Sequence, residues 1–248
     1  MLHRADHGGT RVTTLDPAVQ VTIARTREDV AMLHEELVRH DLVVWTSGTV
    51  SARVPGADLF IIKPSGVAYD SLSPENLVLC TFDGTVVRDT PGWGQTPSTD
   101  AALHGRVYRS LPQVGGIVHT HSTYATAWAT LGEPVPCVTT TMAKEFGGEI
   151  PLVGIAAEGD DGAAIIDALG IQRSAALLLQ NHGLFTVGET AGDAVRRAVL
   201  AEDAARTAHA ARTLGELIPL PTLFVDDLFE AATTTRTRLT AGVGNDTA

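Results

Sequence analysis

Two histidines stand one residue apart at the end of an apolar run, Gly115-Gly116-Ile117-Val118-His119-Thr120-His121. In a strand, side chains alternate faces with period two, so His119 and His121 project from one side and can close on a single metal ion. The same spacing also suits two imidazoles on a half-buried face, and ligands from elsewhere in the chain decide between these readings. His182 is one candidate, in Gln180-Asn181-His182-Gly183 just after the apolar run 175–179. Asp100, opening the helix before the His119 strand, is another. Strand ends are positions where functional side chains emerge from a rigid frame. Three imidazoles and one carboxylate form a sound ligand set for zinc, and equally for manganese or cobalt.

Such a site needs strands and helices to hold it. Residues 26–40 read as a helix, with Thr26 as cap, Glu28 and Asp29 in the first turn, and Val30, Leu33, Leu37 and Val38 on one face. Short apolar or alternating runs at 48–54, 59–62 and 77–81 are punctuated by Pro55-Gly56, Pro64-Ser65-Gly66 and Asp83-Gly84, which predicts hairpins. A loop over 89–97 precedes a helix over 99–110. After the strand 117–121 come a helix at 123–130, a strand near 135–138, a loop or short helix through 142–146, and a helix over 161–169. The continuous apolar run 175–179 reads as a strand covered on both faces, and 191–214 as the longest helix. The pattern predicts helices packed on a mixed or mainly antiparallel sheet. It fits one domain over 21–220, between a flexible N-terminal segment 1–20 and a C-terminal tail 221–248.

Composition narrows the function classes. Hydrophobic residues at 44% and charged ones at 19% allow a sizeable core and exclude a disordered chain. A formal net charge of −11 leaves no basic stripe for nucleic acid, so any phosphate must be met locally. Cys80 and Cys137 are too few and too far apart for a disulfide framework or a zinc knuckle, which points to a reducing cytoplasm. The polar first residues show no signal peptide, and no apolar run reaches membrane-spanning length.

Taken in order, several segments resemble the class II aldolase/adducin-head family. They are Pro97-Ser98-Thr99-Asp100 before a helix, Gly115 to Ser122, Phe146-Gly147-Gly148-Glu149-Ile150-Pro151, and Asn181-His182-Gly183. The likeness runs from about residue 26 to about residue 218. It is nearer to the L-ribulose-5-phosphate 4-epimerase branch than to the fuculose-phosphate aldolases. The resemblance implies a three-layer α/β/α sandwich around a mainly antiparallel central sheet, assembled as a homotetramer with active sites between neighbouring subunits. It implies zinc on His119, His121 and His182, with Asp100 near the metal as acid and base. It also implies a phosphate pocket in which Lys63 supplies charge, and Ser65, Gly66, Ser98 and Thr99 supply hydroxyl and backbone donors.

Three positions depart from the family pattern. Thr49, in Gly48-Thr49-Val50-Ser51, replaces an asparagine of the substrate pocket. Lys144 stands where the epimerases carry a catalytic aspartate, and Arg236 falls near the place of their C-terminal tyrosine. A carboxylate base has become a cation, which fits a substrate with a second anionic group. The expectation is therefore a metal-dependent aldolase-type lyase acting on a phosphorylated ketose or sugar acid through an enediolate. The alternative is a pentulose-phosphate 4-epimerase with other proton donors. A non-catalytic adducin-like interaction module is a third reading, and the histidines argue against it.

Overall fold

The computed structural model describes residues 15–88, 90–154 and 162–243. The readings for 1–14, 89, 161 and 244–248 lie outside them. Asp16 accepts the Ala18 amide at 2.8 Å, and Pro17 occupies the first turn, where its missing N–H is no loss. Helix α1 (Pro17–Arg39) therefore begins well before residue 26. Thr26 is not its cap but an interior residue whose hydroxyl donates to the Thr22 carbonyl at 2.8 Å.

Strands β1 (Thr49–Arg53), β2 (Leu59–Ile62) and β3 (Val78–Thr81) form the predicted antiparallel group. They join β4 (Gly116–Thr120), β5 (Leu152–Val153), β6 (Ala176–Leu179) and β7 (Gly183–Gly188) in one sheet ordered β3-β2-β1-β4-β7-β6-β5. Among the described strands only β5 and β6 run parallel. The strand expected near 135–138 is reduced to a single bridge between Val135 and Ile150. Pro134 and Pro136 flank Val135 and have no N–H to donate to a ladder. Strand β7 is an addition to the elements expected from the sequence, and its residues are buried throughout.

Helices cover both faces. Helices α3 (Thr123–Leu131), α4 (Thr140–Phe146), α6 (Ala191–Leu214) and α7 (Thr222–Val243) join α1 on one side, around Leu37, Val118, Phe146 and Ala198. On the other side α2 (Ala101–Ser110) and α5 (Ala163–Ile171) enclose a second cluster around Phe60, Tyr108, Ile117 and Phe185. The three-layer α/β/α arrangement with a mainly antiparallel sheet is thus the observed fold. The segment 221–248 read as a tail contains α7, whose Val225 and Leu228 pack into the first cluster. Period-two alternation splits β4 between the layers, with Val118 in one core and Ile117 in the other.

Candidate active site

One edge of the sheet gathers the chemistry. The end of β2 delivers Lys63, the start of β1 follows Gly48, the end of β4 delivers His119 and His121, and the β6–β7 turn delivers His182. Register explains the convergence, because Thr49 and Phe185 both lie opposite His119, and Leu184 lies opposite Thr120. Gly183 permits the approach: a Cβ there would stand 2.3 Å from the Thr120 carbonyl oxygen and 2.9 Å from a ring carbon of His121. Asn181, at φ 55°, takes the left-handed turn before His182 that asparagine tolerates better than most residues.

The imidazoles are arranged as ligands. His119 Nδ1 donates to the Leu184 carbonyl at 2.9 Å, so Nε2 carries the lone pair. His121 Nε2 lies 3.2 Å and His182 Nε2 3.3 Å from that atom. All three ligand atoms fall within 4.8 Å of one another. Nitrogens bound ~2.1 Å from a tetrahedral ion stand roughly 3.4 Å apart, so the observed spacing fits a divalent cation. Burial lowers the His119 pKa to about 4 against the opposing pull of Asp100, and burial with the neighbouring His182 lowers that of His121. Neutral imidazole is the form a metal requires. Phe185 packs at 6.3 Å from His119 and edge-on to the buried His104 at 5.6 Å, which fixes the back of the ring.

Beside the triad, the loop after β2 is tied to the segment before α2. The Ser65 amide donates to the Thr96 carbonyl at 2.8 Å, the Ser98 amide donates to the Lys63 carbonyl at 2.9 Å, and Pro64 bridges to Pro97. Lys63, Ser65, Gly66, Ser98, Thr99 and Asp100 consequently line one cleft of about 190 Å3 with the three histidines. The Lys63 ammonium donates to the Thr46 carbonyl at 3.0 Å and to the Pro64 carbonyl at 3.4 Å, and lies 5.2 Å from the Tyr69 ring centre. Among the described residues no carboxylate lies within 4 Å of it. Burial pulls its pKa below the ordinary lysine value. Asp100 caps α2 by position only, leaving its carboxylate to accept the Ser98 hydroxyl at 3.3 Å.

Not every expected residue joins this cleft. Asp100 does line it, but its carboxylate lies outside the group of three ligand atoms, so the expected fourth ligand is not part of that group. Thr49 is buried beneath, opposite His119, and its short side chain does not line the cleft. Lys144 is elsewhere. Its neighbour Glu145 accepts from Arg196 at 2.6 Å and Arg197 at 3.1 Å, and Arg197 also donates to the Val187 carbonyl at 2.8 Å. Val187 pairs with Ile117, whereas the histidines stand at the Thr120–Leu184 end. Arg236 shares the Lys144 position, donating to its carbonyl and to Glu145. Contributors that sequence reasoning missed are the Thr46 and Leu184 carbonyls, which any residue type could offer, and Tyr69, whose place in the chain after Lys63 gives no signal.

Comparison with known proteins agrees with this geometry. Residues 28–209 match the family described as Class II Aldolase and Adducin N-terminal domain. The chain is 38% identical over 199 residues to L-ribulose-5-phosphate 4-epimerase UlaF of Salmonella paratyphi C (strain RKS4594), covering 76% of this chain and 86% of that protein. Its fold is similar to that of L-fuculose 1-phosphate aldolase from Glaciozyma antarctica PI12, with TM-score 0.75, 25% identity, and 89% and 86% of the two chains covered. It is also similar to l-fuculose-1-phosphate aldolase from Thermus thermophilus, with TM-score 0.64, 25% identity, and 77% and 97% covered. With its fold, its three convergent imidazoles and these enzyme relatives, the chain belongs to the class II aldolase and adducin N-terminal domain family, on its enzyme side.

Proposed function

We propose that the chain is a divalent-metal-dependent aldolase-type lyase, making or breaking a carbon–carbon bond in a phosphorylated ketose or sugar acid through an enediolate. The observation that carries this reading is a single cleft holding three convergent imidazole nitrogens beside a buried lysine with no carboxylate partner among the described residues. His119, His121 and His182 would hold the cation, zinc by ligand chemistry, with manganese or cobalt as substitutes. Bound there, the ion supplies Lewis acidity that stabilises negative charge developing on substrate oxygens.

The remaining roles belong to the chain itself. Lys63, Ser65, Gly66, Ser98 and Thr99 bind the phosphate oxygens, with the buried cation strengthened by its surroundings. Asp100 takes the proton from the hydroxyl on the carbon that becomes the aldehyde. The electrons of the adjacent carbon–carbon bond then move toward the ketone, leaving the enediolate, and a proton returned to that carbon releases the second product. Thr49, buried and paired across the strands with His119, acts on the cleft only through that histidine. The two cysteines are free and buried, consistent with work in a reducing cytoplasm. No helix among the described residues is long and apolar enough to cross a membrane.

Lys144 is exposed at the other end of its own sheet, so a catalytic role requires the cleft of a neighbouring copy, as a homotetramer would provide. On that arrangement Lys144→Ala leaves stability within about 0.5 kcal/mol and raises KM several-fold. Unchanged turnover and affinity would remove Lys144 from the mechanism.

A pentulose-phosphate 4-epimerase is the second reading, favoured by the 38% identity to the Salmonella epimerase. The two readings share bond cleavage and differ in whether the aldehyde leaves or turns over and recombines. Incubating the metal-loaded protein with a panel of ketose phosphates separates them. Aldehyde release without a C4 epimer supports the lyase, and epimer without free aldehyde supports the epimerase. Stoichiometric metal with neither product rules out both.

A further inference from the structure

Three features follow strand order along the functional edge. Lys63 follows β2, the histidines stand at β4 and β7, and beyond them β6 and β5 end at Leu179 and Val153. At that far end lies a second cavity of about 530 Å3, larger than the cleft of about 190 Å3. Thr99 and His182 line both spaces, so the two meet at a metal ligand. Leu103 of α2, Ile165 of α5, Val153 and Leu179 give the second cavity apolar walls. Gln180 and Asn181 add amide groups on the His182 side, and Arg106 of α2, which is engaged in an interaction of its own, adds a guanidinium to the lining. Its size and its apolar walls with a few polar groups are those of a small-molecule site.

With phosphate held at Lys63 and the reacting carbons at the triad, the other end of the substrate arrives at this cavity. A bare hydroxymethyl end would leave the apolar walls facing water. We infer that the cavity is the subsite for the non-phosphorylated end of the substrate, and that this end carries an apolar group, branched aliphatic or aromatic. The inference rests on the proposed reaction for the orientation of the substrate. The amides of Gln180 and Asn181 meet oxygens near the reacting carbons, and the walls of α2 and α5 enclose the rest.

Binding of benzyl alcohol to the zinc-loaded full chain, followed by saturation-transfer NMR with ethylene glycol as polar counterpart, tests the subsite without turnover. Benzyl alcohol binds and ethylene glycol does not. Ala102→Trp, filling the cavity from α2, weakens benzyl alcohol by about tenfold or more while inorganic phosphate affinity holds. Gly154→Phe fills it from the opposite side, where among the described residues an added Cβ meets nothing closer than Gln180 Oε1 at 3.9 Å, and serves if the first variant does not fold. In a turnover assay, both variants lose kcat/KM for a benzyl-ended ketose phosphate and keep it for a hydroxymethyl-ended one. Benzyl alcohol that fails to bind, or that binds both variants as well as the parent, overturns the subsite. Variant-sensitive binding without turnover of any ketose phosphate upholds the subsite and overturns the reaction instead.

Discussion

Arg27 and Lys63 are two buried cations that chemistry treats alike and the fold uses differently. They are 4% and 2% exposed, and burial lowers the pKa of both, that of Arg27 to about 10. Neither has a carboxylate within 4 Å among the described residues. Arg27 spends its guanidinium on the carbonyls of Pro74, at 3.0 Å, of Leu77, and of Pro91, at 2.7 Å, clamping α1 to the loops around β3. Lys63 spends two donors on carbonyls beside an open cleft that also holds three imidazoles. Burial and charge therefore do not mark function by themselves. What distinguishes Lys63 is a charge facing space that an anion can enter.

The largest expected effect tests the clamp. Arg27→Met strips donors from three carbonyls and should lower the unfolding free energy by about 3–5 kcal/mol in denaturant melts. The kcat/KM of the folded fraction stays as before. Lys63→Met should do the reverse. Losing a charged contact to phosphate lowers kcat/KM by about 100-fold, mainly through KM, and abolishes inhibition by inorganic phosphate. Stability should hold or rise, because the folded chain no longer desolvates an ammonium. If Lys63→Met unfolded the protein as severely as Arg27→Met and left KM alone, both residues would be clamps and the distinction would fail.

The same contrast explains what is legible in the sequence. The triad can be read because metal ligation demands particular residue types at strand ends, and His119, His121 and His182 satisfy that demand. The sheet can be read in part: β1 to β4 carry turn punctuation, while β7 follows β6 so closely that Gly183 looks like the close of a motif rather than the start of a strand. The Asp16-Pro17 start of α1 is a local signal, but the apolar face that follows Thr26 is more regular and masks it. Helix α7 is different. Its middle is rich in threonine, a weak helix former, and it is held by packing of Val225 and Leu228 on distant elements. Resemblance supplies the types at 49 and 144 but not their positions, since a residue's place in a motif does not say whether it reaches its own cleft. Thr49 lies beneath it and Lys144 at the other end of the sheet.

Buried nitrogens that carry no charge complete the comparison and give the smallest predicted effect. His34 donates from Nδ1 to the Val30 carbonyl at 2.7 Å and accepts the Val50 amide at 3.0 Å, while His104 pairs through Nδ1 with the Ser51 hydroxyl at 2.8 Å. Burial, the main cause in both, lowers their pKa values to about 3 and about 4 from an ordinary 6.5. Above pH 6.5 neither the folded nor the unfolded chain protonates them, and their contribution to stability is complete. As the pH falls from 6.5 toward 4 the unfolded chain takes up protons that the folded chain refuses, so stability drops by about 1.4 kcal/mol per pH unit for each group. His104→Phe keeps an aromatic ring against Phe185 and also removes Nε2, a buried nitrogen without a partner among the described residues. The variant should match the parent near pH 7 and show an acid limb shallower by about 1.4 kcal/mol per pH unit in urea melts between pH 6.5 and 4. An unchanged slope would mean that His104 is already protonated in the folded chain, and a buried nitrogen would then belong with Lys63 rather than with the neutral frame.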